Sequence, residues 1–155
     1  MLPDKTTVDD FVEFVETHEA RLRQALTAAM GIEAGREAAA EAFAYGWEHW
    51  ERVGVMVNPV GYLYTVGRSK GRRLLSMARP AFPSIPEDRT PWFEPGLPAA
   101  LAGLPERERT VVLLLHGYGW HMSEVADTLG VAKSTVQTHA ERGMRKLRHK
   151  LGVGR

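Results

Sequence analysis

The chain has no cysteine. That excludes disulfides, a thiolate nucleophile and any Cys-ligated zinc or iron–sulfur site, and it fits a reducing compartment. Long apolar runs are missing too, and none approaches the ~18 residues a bilayer span needs. The start, Met1-Leu2-Pro3-Asp4-Lys5, has neither the charged n-region nor the apolar h-region of a signal peptide. These absences predict a soluble, cytoplasmic protein with no membrane partner. Turn-bounded runs of alternating apolar and polar residues do not occur, so strands are not expected. Marks of catalysis are equally scarce. The six histidines (His18, His49, His116, His121, His139, His149) include no pair at HExxH spacing, and there is no P-loop or GxSxG elbow. His116 and His121, separated by Gly-Tyr-Gly-Trp, make a poor metal chelate. The chain is therefore not expected to be an enzyme, or to hold a metal or cofactor.

What is present suits binding. An apolar fraction of 44% in 155 residues is enough for a core, in one ordinary domain or two small ones. The net charge of +1 hides an asymmetry. Residues 1–76 carry 9 basic and 11 acidic side chains, whereas residues 99–155 carry 9 and 5. From Lys133 onward the ratio is 7 to 1. A basic end on a near-neutral chain suggests a polyanionic partner for that end; a solvated, basic helix face is the plainer alternative.

Proline punctuates residues 77–98, with Pro80, Pro83, Pro86, Pro91, Pro95 and Pro98. Each removes a backbone N–H and restricts the residue before it, which predicts a semi-extended linker between lobes 1–76 and 99–155. Both lobes read as helical, so the fold class is all-α. In the first, Thr7 is a plausible N-cap for a helix carrying Phe11, Phe14, Val15, His18, Leu22 and Leu26 and stopping at Gly31. A second helix is expected over 33–52, with Ala39, Phe43, Trp47 and Trp50 on one side. Residues 54–57 read as a loop, and Asn58-Pro59 caps and opens a third helix. Gly61, Gly67 and Gly71 weaken that helix or permit close backbone contact. In the second lobe, Pro105-Glu106 opens a helix reaching Gly117, Ser123 caps a short one over 124–129, and a long helix covers 133–151.

The stretch Met122 to His139 fits a helix-turn-helix. Val125, Leu129, Val131 and Val136 are apolar where two crossing helices must clamp, Ala126 is small where they approach most closely, and Gly130 stands where the turn needs positive φ. In DNA-binding versions the N-terminal part of the second helix enters the major groove. Here it presents Lys133, Ser134, Thr135, Gln137, Thr138, His139 and Arg142, with Arg145 and Lys146 continuing a basic strip. Ser, Thr and Gln read base edges or phosphates; Lys and Arg mainly hold phosphates.

These motifs together resemble the sigma factors of bacterial RNA polymerase, specifically the extracytoplasmic-function (ECF) group of the sigma-70 family. Leu104-Pro105-Glu106-Arg107-Glu108-Arg109, then Val111-Val112-Leu113-Leu114, is similar to the opening of region four. Ser123-Glu124-Val125-Ala126 and Gly130 to Val136 resemble its helix-turn-helix. In the first lobe, Phe11-Val12-Glu13-Phe14, Glu41-Ala42-Phe43 and Asn58 to Tyr64 resemble region two. The likeness spans about residues 8–151. It implies two helical domains on a flexible linker, and promoter-specific initiation without bond-making by the chain. The first lobe would bind core RNA polymerase through Glu37, Ala40, Glu41 and Trp47. It would read and melt the −10 element through Asn58, Tyr62, Tyr64, Arg68, Ser69, Lys70, Arg72 and Arg73. The second would read the −35 element with the helix-turn-helix residues above. Implied partners are core polymerase, double-stranded and melted promoter DNA, and an anti-sigma factor.

The chain departs from the family pattern in two places. Glu37 and Ala40 stand where the family has Asp and Gln, and Arg68-Ser69 and Arg73 where it has Arg-Asn and Asp. Two other readings compete. A LuxR-type regulator has a similar DNA-binding end, but with a receiver or ligand domain usually containing strands. A degenerate sigma-like protein would regulate without initiating.

Overall fold

The computed structural model describes residues 2–76 and 96–152, which form helices and connecting turns with no strand among them. Helix α1 (Lys5–Met30) is capped by Asp4, whose Oδ1 accepts from the Thr7 N–H at 2.7 Å. Thr7 therefore lies inside the helix rather than capping it. Because Thr7 supplies an orphan N–H of the first turn, a carboxylate three residues earlier is better placed to accept it. Gly31, at φ 93°, ends α1. Helix α2 (Ile32–Glu48) folds straight back on it. The expected long second helix is interrupted at His49, and a single turn, α3 (Trp50–Val53), follows.

The loop after α3 leads to α4 (Pro59–Leu75), with Pro59 in its first turn and Asn58 Oδ1 accepting from the Gly61 N–H at 3.0 Å. The glycines of α4 are close-packing sites. A Cβ at Gly67 would stand 2.7 Å from Leu26 Cδ1, and one at Gly71 would collide with the Met30 sulfur. Backbone approach of this kind needs the absence of a side chain.

Helix α5 (Leu97–Ala102) begins inside the stretch expected to be linker. Pro98 lies in its first turn, where a missing N–H breaks no helical bond. Pro80, Pro83, Pro86, Pro91, Pro95 and the Trp92-Phe93-Glu94 segment fall outside the described residues. Helix α6 (Glu106–Val112) widens into a π-helical turn over Leu113–Gly117. Helices α7 (Met122–Leu129) and α8 (Lys133–Leu151) complete the chain. Position 121, not Ser123, caps α7: the His121 N–H donates to Glu124 Oε1 at 3.1 Å, half of a capping box. No described helix is long and apolar enough to cross a membrane.

The two lobes share a core. Leu22, Leu26 and Met30 of α1, Ala38 and Ala42 of α2 and Leu63 and Tyr64 of α4 form one buried cluster with Val111, Leu114, Val125 and Val136 of the second lobe. Burying a Leu, Met or Val side chain stabilises by about 1.5–3 kcal/mol. A smaller cluster, Ala100, Leu101, Leu104, Val112 and Leu147, seats α5 against α6 and α8.

Polar contacts reinforce the junction. The buried Arg109 of α6 donates from Nη1 to the Leu104 carbonyl (2.9 Å) and from Nη2 to the Ala29 carbonyl at the end of α1 (2.6 Å). Arg21 meets Glu124 at 2.6 Å, and Arg68 meets Glu106 at 2.7 Å. Trp120 Nε1 donates to Gln24 Oε1 at 2.9 Å, and Asn58 Nδ2 donates to the Asp127 carbonyl.

Candidate nucleic-acid interface

The helix-turn-helix is built as its sequence pattern requires. Val125 and Val136 are completely buried between α7 and α8, and Ala126 lies beside them. Gly130 adopts φ 70°, ψ 36°, the left-handed conformation that an L side chain resists. Its N–H bonds back to the Ala126 carbonyl.

Helix α8 is amphipathic with a clear division. Val136, Ala140, Gly143 and Leu147 face the core, and Gly143 is tight enough that a Cβ would stand 2.6 Å from Val112 Cγ2. Lys133, Ser134, Gln137, Thr138, Glu141, Arg142, Arg145 and Arg148 are exposed on the other side. Most of the sequence-assigned reading residues are thus brought onto one outward face.

Three others are placed differently. Thr135 is half-buried beside Val136. Lys146 is tied down, with Nζ 2.8 and 3.0 Å from the two carboxylate oxygens of the buried Glu108, so it holds α8 to α6. His139 points into the junction between lobes. It lines a cavity of about 40 Å³ with Tyr64, Arg68, Arg107 and Thr110, and its Nδ1 is buried with no hydrogen-bond partner among the described residues. The core face of α8 is wide enough to draw position 139 inward, which removes it from the groove-reading set in this arrangement.

The first-lobe residues divide in the same way. Tyr64 is 4% exposed, with the Arg68 guanidinium 5.8 Å from its ring centroid. Burial, more than the nearby charges, pushes its phenol up to about 12. It is a core residue and offers no free face to a base. Tyr62 is half-exposed. Arg52 lies 5.7 Å over its ring, and the Tyr45, Tyr62 and Arg52 polar groups meet at 2.6–3.4 Å. Those hydrogen bonds, from Tyr45 first and then Arg52, lower the Tyr62 phenol below its ordinary value. Arg68 and Asn58 are engaged with the second lobe, and Lys70 stands 3.9 Å from Glu41. Ser69, Arg72 and Arg73 are exposed along α4.

Beside the loop over 54–58, an open groove of about 570 Å³ runs between Phe14, His18, Trp50, Val55 and Pro59. Asp10, Glu13 and Glu51 rim it, giving it an acidic edge. Glu37, Ala40 and Glu41 are exposed on α2; Trp47, also exposed in part, packs on Phe11 with centroids 5.2 Å apart.

Sequence reasoning did not find the junction residues Arg21, Gln24, Glu106, Arg109, Trp120 and Glu124. Their partners lie up to 103 positions away in the chain, and no local pattern marks such pairs. It also passed over Glu141, although the residue stands out as the one acid after Lys133.

Comparison with known proteins agrees with this geometry. Residues 100–149 match the family model described as sigma-70, region 4. No curated protein matches the chain. Among solved structures, the sigma factor RpoE from Bartonella quintana, in complex with the anti-sigma factor NepR, superposes with a TM-score of 0.62 at 18% identity, covering 94% of this chain and 99% of that one. CnrH, in complex with the cytosolic domain of CnrY, superposes with a TM-score of 0.56 at 20% identity, covering 92% and 87%. Residues 100–149 thus match sigma-70 region 4, and the fold of the chain is similar to that of the sigma factor RpoE and of CnrH.

Proposed function

We propose that the chain is a sigma factor of the ECF type, which binds core RNA polymerase and directs it to promoters. The observation that carries this reading is the outward face of α8. Lys133, Ser134, Gln137, Thr138, Arg142 and Arg145 are exposed together on the second helix of a helix-turn-helix inside the region 4 match. Such a face suits a −35 element: phosphates are held by the cations and base edges met by the polar side chains.

The first lobe supplies the rest of the reading. Arg72, Arg73 and Ser69 on α4 are accessible to a DNA backbone. The aromatic groove beside the loop over 54–58 is of a size and character to take a base pulled from the stack. Glu37, Ala40, Glu41 and Trp47 on α2 are the polymerase contacts. Asn58 and Arg68 reach DNA only after the lobes part, so the packed arrangement corresponds to the chain before it engages promoter. RpoE was solved with an anti-sigma factor and CnrH with the cytosolic domain of CnrY, which supports an anti-sigma partner for this chain. A LuxR-type regulator is disfavoured by the helical first lobe.

The test is transcription in vitro. Purified core polymerase plus the chain, on a genomic library, should give transcripts that start downstream of a shared pair of −35 and −10 sequences. Core that neither binds the chain nor initiates with it would overturn the reading in favour of a regulator.

A further inference from the structure

We infer that Glu141 is a specificity-determining residue of the −35 contact and selects cytosine at one base pair. The inference rests on the sigma-factor reading and deepens it. Glu141 is exposed on the outward face of α8, one turn after Gln137 and Thr138, and next to Arg142. It is the only acid among the residues from Lys133 onward, where seven are basic.

A carboxylate set in a strip that approaches DNA is repelled by every phosphate it nears. What a groove offers it in return is a donor, and in the major groove the donors are the exocyclic amines of cytosine and adenine. Adenine presents its N6 amine beside the N7 acceptor, whose lone pair opposes a carboxylate. Cytosine presents N4–H₂ with no acceptor of its own on that edge. The carboxylate therefore favours cytosine.

The internal hydrogen bonds of α8 sharpen this bias. Gln137 Nε2 donates to Glu141 Oε1 at 3.2 Å, which holds the carboxylate, occupies an amide hydrogen of Gln137 and leaves its side-chain oxygen as an acceptor. The Thr138 hydroxyl donates to the Ser134 carbonyl at 3.0 Å, so its proton is used and its oxygen is left as an acceptor. Three neighbouring side chains thus present acceptors to the groove, between cations that hold the backbone. An acceptor-rich patch reads amine-bearing edges and disfavours the O6 and N7 of guanine or the O4 of thymine.

The experiment is an initiation selection. The intact chain is assembled with core polymerase on a promoter library randomised across the −35 region, and productive templates are sequenced. Wild-type chain should enrich cytosine at one column by about tenfold. Glu141→Gln places an amide there, which pairs bidentately with adenine, so that column should turn from cytosine to adenine while the others hold. Glu141→Ala should flatten the column. Both variants lie on an exposed helix face, and circular dichroism should report unchanged helicity. A selection in which wild type enriches a motif and neither variant alters any column overturns the inference and leaves the sigma reading standing. So does a wild-type column that selects adenine. No initiation by any form, with core shown to be active, overturns both.

Discussion

Arg109 is the side chain on which the docking of the two lobes turns. Its guanidinium is buried and spans two backbone carbonyls, Leu104 within its own lobe and Ala29 at the last turn of α1. Both are charge-assisted bonds, and the second also places a cation at the negative end of the α1 dipole. Burial lowers the guanidinium below its ordinary value, ahead of the opposing pull of Glu106 and Tyr64, but arginine stays charged at any physiological pH. Replacing Arg109 by Met keeps most of the apolar stem and removes the fork. Each lost bond to a charged group removes about 1.5–3 kcal/mol, and two carbonyls are left buried and unmet. The expected loss is about 3–5 kcal/mol, a large part of the stability of a chain this size. In urea, with a slope of about 2 kcal/mol per M, the midpoint should fall by roughly 2 M. Unfolding should be followed by far-ultraviolet circular dichroism, and by hydrogen exchange of the amides in the last turn of α1. Because α1 and α6 share one core, protection in α1 should fall together with that in α6. A loss below about 0.5 kcal/mol, or an α1 whose protection ignores a mutation 80 residues away in sequence, would refute the argument that the lobes form one cooperative unit.

Three further outcomes test other parts of the structure. Gly35→Ala should destabilise by about 1–3 kcal/mol in thermal melts, because its Cβ would fall 2.5 Å from the Thr27 backbone, which has no rotamer with which to yield; an unchanged melting point would contradict the close packing of α1 on α2. His18 is held below its ordinary value of 6.5 by burial, with Arg21 adding to the effect. The unfolded chain therefore takes up the proton first as pH falls, so the stability linked to neutral His18 is complete above that ordinary value and lost as pH drops through the depressed one. His18→Gln should remove this acid-side loss between pH 8 and 5, and parallel stability curves for the two forms would speak against it. Arg142→Ala should weaken binding to all duplexes alike and flatten the salt dependence by about one unit, whereas an unchanged slope in a binding titration would take Arg142 out of the phosphate-contacting set.

What the sequence made legible and what it hid divide along a physical line. The helix-turn-helix could be read because its requirements are local: apolar clamps at Val125 and Val136, a small Ala126, and a glycine where φ must be positive. Asn58-Pro59 announced the start of α4 for the same reason, whereas Gly67 and Gly71 left a weak helix and close approach equally open until the packing decided for the second. Periodicity says that a face is buried but not against which element. The resemblance thus made Tyr64 a −10 contact although it is buried at the lobe junction, and the helix-turn-helix pattern made His139 a groove reader although it lines the cavity between lobes. Arg68 was placed with the −10 residues by the resemblance alone, because its partner, Glu106, lies 38 positions on and no local pattern marks it. The cap of α1 is a miss of another sort: the sequence pattern offered Thr7, Asp4 is as good a capping residue, and only the backbone decides which of them accepts.

Under the proposed function, the shared core sets an order for the steps of binding. Parting the lobes uncovers apolar surface at about 25 cal/mol for each Å²; it takes the Ala29 carbonyl from Arg109 and separates Arg68, Arg21 and Asn58 from Glu106, Glu124 and Asp127. DNA supplies a fitting substitute only for the cations, through phosphate contacts that physiological salt screens. It supplies nothing for the apolar face. A protein surface supplies both, since it can cover the bared core and pair the freed charges. On the proposed function, core polymerase bound first through exposed positions such as Glu37, Glu41 and Trp47 would hold the lobes apart, and promoter would then meet residues already released from their mutual contact. DNA arriving first would have to open the molecule using the weaker of the two interactions, and for this chain that is the disfavoured route.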